Sequence, residues 1–205
     1  MSRSGIIKPG YMRSIDLKNG CIEMAHGSGG RAMAQLIHQL FLTAFDNEYL
    51  RKMNDQACFQ SFNGRMVMST DSHVITPLFF PGGDIGSLSV HGTINDIAMS
   101  GAKPSYLAAS FILEEGFPLS DLKCIVDSMA NAAQAAQVPI VTGDTKVVEK
   151  GSGDGVFITT TGVGMVPEGI NISSENARPG DKILVSGTLG DHGIAIMALR
   201  ENLSF

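Results

Sequence analysis

The chain reads as an α+β protein with helices on one face of a mixed sheet. Three observations predict this class. Apolar residues recur at the helical period in two windows, 32–45 and 121–137, and a third window, 85–100, ends as helices end. Around these windows lie short runs rich in β-branched and apolar residues, RMVMST, SYLAASFIL, PIVT and VFITTTGVG. The order helix, strand, helix, strand, helix, strand, strand mixes direct with helical connections, as a mixed sheet requires.

Composition fits one packed core. Hydrophobic residues make up 43% of the 205 and charged residues only 17%, which excludes a disordered chain. A net charge of −5 with scattered basic residues gives no footprint for nucleic acid. The 24 glycines occur in no low-complexity run, so they indicate tight turns and close backbone approach. Cys21, Cys58 and Cys124 are odd in number and far apart, which argues against a disulfide framework or a thiolate zinc site and fits idle or buried thiols in a reducing cytoplasm. No apolar run reaches the length of a membrane span, and the first residues lack the apolar core of a signal peptide.

Taken in order, residues 1–20 read as a flexible polar leader and Cys21 to Ala25 as a short strand. HGSGGRAM follows, with Gly27, Gly29 and Ala32 at dinucleotide-loop spacing. Ala32, Met33, Leu36, Ile37, Leu40, Phe41, Ala44 and Phe45 then form one helical stripe. A glycine turn feeding a helix start can hold phosphate on its backbone N–H groups. A dinucleotide fold would need a parallel strand directly after that helix. The polar stretch from Asn47 to Asn63 stands there instead, so a general phosphate loop is the better reading.

Arg65 to Thr70 is the next strand, ending at Asp71, and PGGDIG turns the chain into the helix IGSLSVHGTINDIAMS, which carries Thr93, Asn95 and Asp96. Gly101 and Pro104 stop it. Ser105 to Leu113 is a strand, and Ser120 stands where it can cap a helix over Asp121 to Gln137. Pro139 to Thr142 is a short strand running into Gly143-Asp144-Thr145-Lys146, and Val156 to Gly164 is a longer one. Residues 21–166 therefore form one domain. Residues 167–180 are a polar linker, and 181–205 read as a strand, a glycine turn and a helix, the incomplete start of a second α/β domain.

No Walker A, HExxH or G-x-S-x-G pattern is present. The chemistry-bearing residues are three acids, Asp71, Asp96 and Asp144, with Lys146 two positions after the last. In an extended segment Asp144 and Lys146 share a side. Hard oxygen ligands suit Mg²⁺, which commonly also holds substrate phosphate, and an ammonium neutralises phosphate oxygens. The alternative is an ordinary surface ion pair beside two unrelated acids. The histidines show no metal spacing, and His26, beside the glycine loop, is the one with a possible direct role.

AHGSGG, STDSHVITPLFFPGGDIG, HGTINDIAMSGAKP, FILEEG, IVTGDTKVV and SGTLGDHG, in this order, resemble the HypE family of [NiFe]-hydrogenase maturation proteins. That family falls within the PurM-like superfamily of aminoimidazole ribonucleotide synthetase. The resemblance implies a PurM-like amino-terminal domain whose strands join those of a second subunit in a homodimeric barrel. It implies ATP at that junction and Mg²⁺ on Asp71, Asp96 and Asp144. Gly27, Ser28, Gly29 and Gly30 would form the lid, Lys146 would lie at the phosphates, and Asn95 and Thr145 would be further contacts. Lys146 and Asp96 are the expected catalytic residues.

The implied activity is ATP-dependent dehydration of an S-carbamoyl group on the family's carboxy-terminal cysteine to a thiocyanate. HypF would donate the carbamoyl group, and the HypC–HypD complex would receive the cyanide. This chain ends in ENLSF without that cysteine, so the expectation is dimerisation and weak ATP binding without completed cyanation. A non-catalytic dimerisation module, or another ATP-dependent synthetase or kinase of the superfamily, are the alternatives.

Overall fold

The computed structural model describes residues 14–60 and 63–203. Its centre is a four-stranded sheet in the order β1 (Arg65–His73), β6 (Val156–Val166), β4 (Lys103–Glu114), β5 (Ile140–Val148). β6 runs antiparallel to both neighbours, and β4 and β5 run parallel. The parallel pair needs a long crossover, which helix α4 (Leu119–Ala136) supplies. A two-stranded ribbon, β2 (Phe79–Phe80) with β3 (Gly83–Asp84), leads into helix α3 (Ile85–Ala98). Near the amino end, α1 (Arg31–Leu36), a π-helical turn (Ile37–Phe41) and α2 (Leu42–Phe45) form one continuous rod, as the stripe over 32–45 predicts.

Alternation along the strands decides which face is covered. Every second residue of β6 is buried, from Val156 through Ile158 and Thr160 to Val166, and so are Leu107, Ala109, Phe111 and Leu113 of β4. α3 lies on β1 and β6. Val90 of α3, Leu122, Ile125 and Met129 of α4, and Leu36 and Phe41 of the amino-terminal rod complete the core. The opposite face is open, with Met66 and Met68 of β1 55% and 72% exposed. The fold is thus the expected α+β sheet with helices on one face.

α3 is fixed at its start. The Asp84 carboxylate accepts from the backbone N–H groups of Gly86 and Ser87 and from the Ser128 hydroxyl of α4, an N-cap that also ties two helices. Gly86 lets them touch, because a Cβ there would collide with the Ile125 carbonyl and lie 3.0 Å from Met129 Cγ.

Several boundaries differ from the sequence expectations. Cys21 to Ala25 is no strand: Cys21 makes an isolated bridge to Pro118, and Met24–Gly27 is a 3₁₀ turn. Pro118, not Ser120, precedes the first residue of α4, and the Ser120 hydroxyl donates to Asp121 instead. Residues 140–148 form a single strand, so Gly143-Asp144-Thr145-Lys146 belongs to the sheet. Residues 181–186 form no strand, and Ile183 and Leu184 are 93% and 91% exposed. A strand needs a neighbour to pair with, and none lies beside this one among the described residues. The helix expected at 192–201 is α5 (Asp191–Arg200).

Of the leader expected over residues 1–20, residues 1–13 lie outside the described residues. Residues 14–20 make a turn in which Asp16 accepts from the backbone of Lys18 and Asn19, with Ile15 and Leu17 packed on the core. All three cysteines are exposed and unpaired. Among the described residues no helix is long and apolar enough to cross a membrane.

Candidate functional site

The predicted site residues fall into two groups, one at each edge of the sheet. At the β1 edge, Asp71 is paired in register with Thr160, whose side chain is buried beneath α3. Side chains alternate along a strand, so Ser69, Asp71 and His73 all face α3. The Ser69 hydroxyl donates to Asp96 Oδ2 of α3 at 3.0 Å. His73 Nε2 lies 3.3 Å from Asp71 Oδ2. Asp96 is one helical turn beyond Gly92, the residue of α3 against which Asp71 and His73 lie. Two carboxylates thus reach one small patch. Asn95 is exposed beside Asp96. Thr93 is buried and spent on a hydrogen bond of 2.7 Å to the Thr160 hydroxyl.

At the β5 edge, Asp144 and Lys146 do share a side, with Lys146 Nζ 3.0 Å from Asp144 Oδ2. Their strand partners are Ser110 and Ile112, on the open face, whereas Thr145 pairs with buried Phe111 and is itself 6% exposed. Asp144 and Lys146 therefore project from the face opposite to Asp71 and Asp96. Three strand spacings, about 14 Å, also separate β1 from β5. Within one chain Asp71 and Asp96 lie apart from Asp144 and Lys146. Among the described residues no three metal-ligating side chains form a group.

The glycine segment belongs to the β5 half. Gly27 presses on β5, where a Cβ would lie 2.9 Å from both the backbone nitrogen and Cβ of Val147. His26 is buried and organises the turn, its Nδ1 accepting the Glu23 backbone N–H at 2.9 Å. That is a scaffolding role. The Ser28 hydroxyl donates to the Ala25 carbonyl, Gly29 has φ +76°, and Gly30 stands at the start of α1. Behind this segment a cleft of about 500 Å³ runs between the rod and the sheet, with Met33, Phe41, Leu50, Phe111 and Thr145 on its walls.

The donor chemistry of the β1 half suits a divalent cation. Asp71 and Asp96 offer hard oxygens, and Mg²⁺ is commonly held by one or two carboxylates with the rest of its shell from water and phosphate. Sequence reasoning found both acids but missed Ser69 and His73. The signal was available, since alternation along Ser69-Thr70-Asp71-Ser72-His73 places the two beside Asp71.

A mixed sheet backed by helices on one face, with acids on its first strand and first long helix, matches a known class of domain. The family described as AIR synthase related protein, N-terminal domain, matches residues 53–166, and the chain belongs to it. Its similarity within that class is to hydrogenase maturation proteins. Carbamoyl dehydratase HypE of Cupriavidus necator is 70% identical over 203 residues, covering 98% of this chain and 58% of that protein. The HypE of Escherichia coli K12 is 54% identical over 187 residues, covering 89% and 56%. The chain therefore spans rather less than three fifths of these relatives.

Among solved structures, hydrogenase maturation protein HypE in complex with ATP superposes with a TM-score of 0.86 at 52% identity, over 89% of this chain and 54% of that one. A HypE–HypF complex gives 0.68 at 59% identity, over 83% and 55%. Thiamine-monophosphate kinase from Stenotrophomonas maltophilia, at 21% identity and a TM-score of 0.63, shares the fold.

Proposed function

We propose that this chain is the nucleotide-binding part of a [NiFe]-hydrogenase maturation protein of the HypE kind, and that two copies complete its ATP site. The carrying observation is the division of the candidate residues between the two outer strands of the sheet. A two-fold dimer uses the same surface of both copies. If β1 of one copy meets β5 of the other at both seams, eight strands close, and the Asp71–Asp96 patch comes beside the glycine segment on the helix-covered face, with Asp144 and Lys146 on the inner face of the same seam. The open face, with its exposed methionines, turns inward in such an arrangement. In this reading residues 21–166 form the ATP-binding domain, 167–180 the linker and 181–205 the opening of a second domain.

The name of the relatives, carbamoyl dehydratase, supports the reaction class. An amide oxygen is a poor leaving group. Transfer of the ATP γ-phosphoryl to the oxygen of an S-carbamoyl group, R–S–C(=O)NH₂, releases ADP. The C–O bond then breaks with phosphate as leaving group, the nitrogen gives up two protons to base, and R–S–C≡N remains. Asp71 and Asp96 would hold Mg²⁺, with Asp144 approaching from the other face of the seam, and the cation would offset charge on the phosphoryl oxygens. Lys146 lies at the phosphates, with Asp144 as its counter-charge until nucleotide arrives. Gly27 to Gly30 close over the triphosphate with backbone N–H groups, and Asn95 and Thr145 make further contacts. HypF as carbamoyl donor, HypC–HypD as cyanide acceptor and a cytoplasmic setting complete the proposal.

Titration calorimetry of the chain with ATP, with and without Mg²⁺, tests it. Heat should appear that requires Mg²⁺ and is lost in Asp96→Asn. Equal binding by that variant and its parent removes Asp96 from the site. Dimerisation without any nucleotide affinity would leave a purely structural interaction module.

A further inference from the structure

We propose that His73 is a positioning residue for Asp71: its Nε2–H donates to one carboxylate oxygen and leaves the other for the divalent cation. The inference rests on the reading of Asp71 as a cation ligand, and adds a residue that none of the motifs assigns. His73 closes β1 and is only 7% exposed. Its ring lies between the strand and α3, with Nε2 3.3 Å from Asp71 Oδ2. Gly92 of α3 makes the space. A Cβ there would lie 2.8 Å from His73 Nε2 and 3.1 Å from Asp71 Oδ2, so the ring and the carboxylate occupy one tight slot.

The tautomer follows from what surrounds each nitrogen. Nδ1 is buried and has no hydrogen-bond partner. With the proton on Nδ1, the bare Nε2 lone pair would face the Asp71 carboxylate at 3.3 Å. A proton on Nε2 turns that repulsion into an attraction. A buried imidazole with one unmatched nitrogen is a costly way to fill apolar space, and the contact with Asp71 gives it a purpose. Groups that orient a metal-binding side chain typically change metal affinity 10- to 100-fold when removed, by analogy with other metal sites, so roughly tenfold is the effect to look for.

The experiment titrates Mg²⁺ at fixed ATP, following ATP binding, and repeats the titration with Mn²⁺ by electron paramagnetic resonance. His73→Gln keeps an amide N–H near the Nε2 position. His73→Asn keeps a polar group near Nδ1 only. The Asn variant should raise the cation midpoint about tenfold, the Gln variant should stay within about threefold of the parent, and ATP binding without cation should be equal in all three. Gly92→Ala, which leaves His73 in place and crowds the pair, should move the midpoint in the same direction as Asn. Equal midpoints for Asn, Gln and parent overturn the proposal, as does a lowered affinity in the absence of cation, which would mark a packing role. Asp71→Asn is run beside them. If it moves the midpoint and the His73 variants do not, His73 alone is dismissed. If Asp71→Asn leaves the midpoint unchanged, Asp71 is no ligand and both ideas fall.

Discussion

Thr160 stands in register with Asp71, and its hydroxyl joins the sheet to α3 directly behind the candidate cation patch. It donates to the Ser89 carbonyl at 2.7 Å and meets the Thr93 hydroxyl at 2.7 Å, all three residues being fully buried. Valine has nearly the same shape but no hydroxyl. In Thr160→Val the Ser89 carbonyl loses this donor, while Thr93 retains the Thr160 carbonyl at 3.3 Å. The expected loss is about 1–3 kcal/mol in urea unfolding, and a variant as stable as the parent would show the hydroxyl to be idle. Glu114 is the second case. Its carboxylate accepts from the backbone N–H groups of Gly151 and Gly155 at 2.5 and 2.9 Å and so holds the turn between β5 and β6. Those bonds, Gly151 first, lower its pKa below the ordinary 4.5. A carboxyl whose folded pKa is depressed stabilises fully above its unfolded value, and that contribution fades as pH falls through the folded one. Amide protection at Gly151 and Gly155 should therefore persist at neutral pH and fade only in acid below 4.5. In Glu114→Gln it should already be weaker at neutral pH, and unaltered protection there would count against the clamp.

At the level of elements, α3 builds the candidate cation patch, because it sets Asp96 beside Ser69 and faces Asp71 with Gly92. Its position depends on the Asp84 cap. Asp84→Ala removes acceptors for two backbone N–H groups and for Ser128, and should cost about 1–2 kcal/mol, with lost protection in the first turn of α3. A loss shared equally along the helix would instead point to global destabilisation. The helices and long strands were legible in the sequence because their periods, 3.6 and 2, are local. The Leu36–Phe41 stripe and the alternation of β6 are examples. Local rules failed where a neighbour decides. Gly143-Asp144-Thr145-Lys146 has turn composition yet lies in β5, because the parallel edge of β4 is there to pair with it. Ile183 to Val185 has strand composition yet lies exposed, with no described strand beside it. Ser120 is a good capping residue, but the backbone geometry at Pro118 starts α4 earlier.

For the whole molecule, the sequence offered the candidate residues but not that they lie on opposite edges and opposite faces of one sheet. Strand order and register arise from pairings about a hundred residues apart, such as Arg65 with Val166, and no motif encodes them. The arrangement makes complementation the decisive experiment. A chain with Asp71→Asn is damaged at β1 and intact at β5; a chain with Lys146→Ala is the reverse. If two copies share the site as proposed, each variant alone gives dimers in which both sites carry one damaged half. In a mixed dimer one site combines both damaged halves and the other combines both intact ones. Random mixing of equal amounts makes about half of the dimers mixed, so about a quarter of all sites should regain Mg²⁺-dependent ATP binding. The expected calorimetric result is a restored phase of that stoichiometry, absent from either variant alone. A site built within one chain would give no recovery at any mixing ratio. Failure to recover, with exchange of subunits verified by mass, would mean that the two edges serve separate purposes and that the nucleotide site must be sought on one of them alone.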